Sequence, residues 1–133
     1  MNILFKNALN IVLGILSVVT IFHLCIVFKI IPYDITWGGR LKNDSEMYVF
    51  EAISIIINLF LILVLLMKGN YLKYKFSEKS INVILWIFVI IFLINTVGNV
   101  FAKTAFERIF TGITLLLTIL IWLIVRKKNS VIL

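Results

Sequence analysis

The chain has little of what most catalytic or extracellular folds depend on. Of its 133 residues one is cysteine, one is proline and one is histidine, and six acids face thirteen lysines and arginines. The lone Cys25 excludes an intrachain disulfide and a multi-cysteine zinc site, while saying nothing about compartment. His23 is a poor start for a metal site as well. Cys25 lies two positions on along a helix and points elsewhere, which leaves Glu51 as the one clear second ligand. There is no internal repeat and no low-complexity tract, and Gly38-Gly39 lacks the spacing of a phosphate cradle. No metal or cofactor is expected.

What the chain has in excess is apolar residues, at 62% against about 45–50% in soluble globular proteins, and its mean hydropathy is +1.14. They fall in four runs, Ala8–Phe28, Glu46–Met67, Ile81–Ala102 and Arg108–Val125. Each has about the 17–25 residues that a helix needs to cross a hydrocarbon layer about 30 Å thick. The fold class expected is an all-α integral membrane protein, a four-transmembrane-helix antiparallel bundle forming one membrane domain. The first run follows Lys6 as a signal peptide would, but it is longer than the about 7–15 apolar residues of such a peptide and no small-residue cleavage site follows it. It reads as a retained helix.

The formal charge of +7 invites a nucleic-acid partner, and its distribution argues against one. The basic residues lie between and after the runs, where they orient a membrane protein and meet anionic headgroups. Lys6, Lys68, Lys73, Lys75, Lys79, Arg126, Lys127 and Lys128 fall on one side of a four-span topology, and Lys29, Arg40, Lys42, Lys103 and Arg108 on the other. That eight-to-five division predicts cytoplasmic termini, N-in and C-in, and the location expected is a bacterial cytoplasmic membrane. Arg126-Lys-Lys128 serves as stop-transfer signal and lipid anchor. Tyr33, Trp37, Trp86 and Trp122 are expected in the interfacial belts.

Connections carry readable punctuation. Pro32 ends or blocks the first helix, and Gly69-Asn70 fits a left-handed stop after the second. Ser77 is placed to cap the third, while Asn43-Asp-Ser-Glu46 and Thr104-Ala-Phe-Glu107 both have the spacing of a capping box.

The polar interruptions of the runs are the handle on function. At 100° per residue, Glu51, Ser54 and Asn58 share one face of the second helix, Asn95, Gly98, Asn99 and Ala102 one face of the third, and Glu107, Thr111, Thr114 and Thr118 one face of the fourth. These faces are expected to point inward, because lipid offers no partner to an amide or carboxylate. Asn10, Gly14 and Ser17 make a stripe on the first helix, with His23 well round from it, nearer Thr20. By rise per residue, His23, Glu51 and Thr111 lie about 8 Å outward of the midplane, with Asn95 and Asn99 bracketing that level. Arg40 and Trp37 are available in the connection above.

These positions predict a polar pocket in the outer half of the bundle, with Glu51 as its ionisable centre and His23 as its partner. A lone charge at that depth costs at least about 2.5 kcal/mol, so Glu51 has to be paired, protonated or hydrated. The candidate ligand-binding residues are Glu51, His23, Asn58, Asn95, Asn99, Thr111, Arg40 and Trp37. The same residues also fit a purely structural pairing across helices. Three functional classes follow. The first is a binding or transport component for a small solute or lipid, homo-oligomeric or joined to a membrane complex. The second is a non-catalytic assembly or stabilising subunit, and the third an intramembrane lipid-modifying enzyme, which lacks an evident nucleophile.

Overall fold

The computed structural model describes residues 3–36, 41–73, 76–101 and 104–126. Trp37, Gly38, Gly39, Arg40, Lys75, Ala102, Lys103, Lys127 and Lys128, which carry some of the expectations above, lie outside the described residues. Four helices, each long and apolar enough to cross a membrane, make up almost all of what is described: α1 (Ile3–Val27), α2 (Asp44–Lys68), α3 (Glu78–Val100) and α4 (Ala105–Arg126). This all-helical bundle points to a membrane location.

The helices outrun the apolar segments at most ends because caps, not hydropathy, set their limits. α1 begins five residues before the apolar run. Asn43 accepts a bond from Glu46 N at 2.9 Å to start α2, and Ser77 Oγ accepts from Ser80 N at 3.1 Å to start α3. The Glu46 carboxylate reaches back to Lys42 N at 3.1 Å, one residue further than in a standard capping box. Thr104 Oγ1 accepts from Glu107 N at 3.2 Å and donates to Glu107 Oε1 or the Ile35 carbonyl, at 3.0 and 3.3 Å. One side chain thus caps α4 and meets the first connection.

α1 does not wait for Pro32. It stops at Lys29, whose φ of 60° lets Ile30 N bond Cys25 O at 2.8 Å and Lys29 N bond Ile26 O at 3.0 Å. This is a Schellman closure on a non-glycine residue. α2 closes in the same way with Asn70 at φ 62°. Gly69 itself has φ −86°. It is glycine for a different reason: a Cβ there would run into the buried side chain of Leu9.

α1 packs against α2 and α4, and α3 packs most extensively against α4 and less against α2. Two separate apolar clusters result. The larger draws on Leu9 and Leu16 of α1, Leu61 of α2, Phe92 of α3 and Leu117 and Ile121 of α4. The smaller, around Ile26, Leu41 and Met47, joins the first connection to the end of α1 and the start of α2. There Lys29 Nζ donates to Asp44 Oδ2 at 2.5 Å and Tyr33 Oη to Asp44 Oδ1 at 3.3 Å. The hydrogen bond and charge of Asp44 hold the Lys29 ammonium above the usual lysine value.

Candidate functional site

Between the two apolar clusters the character of the interior changes. From Leu16 to Ile26 the one buried residue is Thr20, and from Met47 to Leu61 the buried residues are Glu51 and Asn58. Beyond Phe92 it is Thr96 among the described residues of α3, and before Leu117 they are Glu107 and Thr114. Every buried residue in this layer is polar.

The layer is built around a contact between α1 and α2. His23 Nδ1 lies 2.5 Å from Glu51 Oε2. The Glu51 side chain is 0% exposed and that of His23 17%. A carboxylate only accepts, so Nδ1 carries the shared proton when Glu51 is ionised. The other ring nitrogen, Nε2, makes no hydrogen bond with a described residue. Phe22, the neighbour of His23, contacts Phe106 and Phe110 of α4 at ring-centroid distances of 5.5 and 5.3 Å. Aromatic rings therefore join α1 to α4 beside the ionisable pair.

Deeper in the bundle the polar groups are neutral. Asn58 lies two turns beyond Glu51 on the same face of α2, about 10 Å along the axis. It is 9% exposed, and its amide makes no hydrogen bond with a described residue. Thr96 and Thr114 join α3 to α4 through a hydroxyl contact of 2.9 Å. Thr111 is half-buried, and its Oγ1 is buried without a partner among the described residues. Buried polar groups are nearly always bonded, and leaving one unmet costs about 1–3 kcal/mol, so the Thr111 hydroxyl is the costly group of this layer.

The inward stripes expected are found on α2 and α4 and corrected on α3; on α1 no direction was expected. On α1 the stripe of Asn10, Gly14 and Ser17 faces outward, and the inward face is that of Val12, Leu16, Thr20 and His23. A 21-residue apolar run can turn either side inward, and the larger apolar side won because it fills the main cluster. On α3, Asn95 and Gly98 are exposed and Asn99 is half-buried. Thr96, one residue on from Asn95, is the group turned inward. The aromatic pair Phe88 and Phe92 sets that rotation, since both are buried in the core and place position 96 on their own face. Asn95 is thus withdrawn from the interior set. Trp37 and Arg40 lie outside the described residues.

Sequence reasoning also missed Lys68. It reads as a boundary charge, yet its side chain is 0% exposed, donates to Asn82 Oδ1 at 2.8 Å and lies 3.8 Å from Glu78 Oε1. The available signal was Glu78, the one acid on the basic side of the proposed topology. This cluster sits at the opposite end of α2 from Glu51, beyond the larger apolar cluster.

Fold and layer together define an all-helical protein with four helices apolar enough to span a membrane and a buried polar layer between two apolar clusters. No protein-family model matches the chain, and neither a curated protein nor a solved structure matches it.

Proposed function

We propose that this chain is an antiparallel four-helix membrane protein, with both termini cytoplasmic, that binds a small polar molecule in the outer half of its bundle. The observation that carries the reading is the polar layer. A bundle built for stability alone fills its interior with apolar side chains, and buried ionic pairs replaced by such residues are often neutral or stabilising. Here all six buried positions among the layer's described residues are polar, and Thr111 Oγ1 in it is buried without a hydrogen-bond partner among the described residues.

The antiparallel arrangement is supported by contacts that join late residues of one helix to early residues of the next: His23 to Glu51, and Lys68 to Asn82. The division of basic residues supports the orientation. The larger apolar cluster closes the layer on its Leu61 side. This favours a binding site entered from one face over a continuous pore.

The test uses Ser54, half-buried on α2 between Glu51 and Asn58. A Ser54→Cys variant, with Cys25→Ala to remove the native thiol, is reconstituted in sealed vesicles. It is then exposed to a membrane-impermeant cationic thiosulfonate reagent from either side. Reaction from the outer face and none from the inner face is expected. Absence of reaction from both faces, as dry structural packing would give, contradicts the proposal.

A further inference from the structure

The packing of Phe88 and Phe92 that turns Thr96 inward leaves Asn95 on the outside of α3, and that exposure carries a cost. Asn95 is exposed, and its amide makes no hydrogen bond with a described residue. It lies between three and four residues from the centre of the apolar run, which at the helical rise is about 5 Å from the midplane of a hydrocarbon layer about 30 Å thick. Neither headgroups nor bulk water reach that depth, and acyl chains offer an amide nothing to bond. Other polar groups on the outer surface are met within the chain. Ser17 donates to Leu13 O at 2.8 Å, and Asn10 Oδ1 accepts from Tyr71 Oη at 2.8 Å.

We infer that the Asn95 face of α3 is the interface between two copies of this chain, related by a two-fold axis along the membrane normal. Two copies inserted in the same orientation bring the same residue to the same depth, so each Asn95 finds a second amide at its own level. An amide holds both a donor and an acceptor. Across a two-fold axis each Asn95 Nδ2–H therefore donates to the other's Oδ1, and the face is complementary to itself. A different membrane protein would need a polar group of its own at that depth.

The surroundings of Asn95 fit close approach of a second helix. Ile91, Asn95 and Gly98 follow steps of four and three along one side of α3, and all three are exposed. A Cβ built at Gly98 meets no described atom within 4 Å, so packing within one chain has no need of glycine there. Small residues beside an interhelical amide bond let two backbones come together. Gly14 and Gly112 are equally open. Gly14 lies one turn from an asparagine too, but that one, Asn10, is already engaged by Tyr71.

The test counts copies. The full chain, labelled at its amino terminus, is reconstituted at falling protein-to-lipid ratios, and bleaching steps are scored for each particle. Two steps at high protein density, passing to one on dilution, is the result expected of wild type. Asn95→Leu should need about tenfold higher density to pair, as loss of two reciprocal bonds of ordinary interhelical strength would give. Asn95→Gln keeps both halves of the amide and should recover most of the association. Gly98→Ala should weaken it, and Gly112→Ala should not. Unfolding midpoints of the Asn95→Leu and Gly98→Ala monomers should equal or exceed that of the wild-type monomer, which separates lost association from lost fold.

Oxidative cross-linking gives a second reading with the amide in place. Ile91→Cys with Cys25→Ala should form a disulfide between copies in the membrane, whereas Ile109→Cys with Cys25→Ala, exposed on α4, should not. Wild type that bleaches in one step at every density overturns the inference and leaves the Asn95 face to a different protein. Pairing by Asn95→Leu as tight as wild type overturns it too, as does cross-linking at Ile109→Cys equal to that at Ile91→Cys.

Discussion

Replacing Glu51 by glutamine sets two effects of similar size against each other. Burying the carboxylate at this depth costs at least about 2.5 kcal/mol. Its charge-assisted bond to His23, at 2.5 Å, returns about 1.5–3 kcal/mol. Glu51→Gln removes the charge and keeps a neutral hydrogen bond, so stability should stay within about 1 kcal/mol of wild type. Glu51→Leu instead leaves Nδ1 without this acceptor in a side chain that is 17% exposed, and should cost about 1–3 kcal/mol. Adding His23→Leu to it removes the orphan and should restore most of the loss. Reversible unfolding of wild type, Glu51→Leu, His23→Leu and the double variant in mixed micelles closes a double-mutant cycle, with an expected coupling of about 1.5–3 kcal/mol. A loss above about 3 kcal/mol for Glu51→Gln would make the pair a structural requirement, and a coupling under about 0.5 kcal/mol would mean that the side chains do not meet.

Three other perturbations test separate parts of the fold. Gly69→Ala should cost about 1–3 kcal/mol, because the added methyl collides with buried Leu9. Gly112→Ala meets open space and should be neutral or gain up to about 1 kcal/mol in the same unfolding assay. Asn82→Leu removes an acceptor from the fully buried Lys68 ammonium and should cost about 1.5–3 kcal/mol, whereas Asn82→Asp should retain most of the stability. Lys29 should titrate above ordinary lysines when followed by NMR of its dimethylated amine, and Asp44→Asn should bring it back down. Because its value is raised on folding, the contact contributes fully below the ordinary lysine value and is lost only as pH rises through the raised one. A loop that opens near neutral pH would contradict this.

The number of helices was legible in the sequence because each apolar run exceeds what a soluble helix would carry. So were the caps at Asn43, Ser77 and Thr104, whose side chains act on backbone within a few residues. The pairing of His23 with Glu51 was legible from depth alone, with the polar stripe of the first helix lying on another face. Rotation about a helix axis was the harder quantity. On α3 the sequence presents Asn95 and Thr96 side by side, and tertiary packing of Phe88 and Phe92 decides which turns inward. Lys68 was hidden for a related reason: a lysine at a helix end is exposed by default, and only the approach of Asn82 and Glu78 from α3 gives its ammonium a buried place.

The central claim is that the polar layer around Asn58 holds water or ligand rather than dry contacts. Magnetisation transfer from water to the side-chain amide of Asn58, in protein labelled with nitrogen-15 and reconstituted in lipid, measures this directly. Build-up at Asn58 and at the His23 ring comparable with that of exposed side-chain amides such as Asn10 is the predicted result. No transfer at either position, with normal transfer at Asn10, would contradict the account.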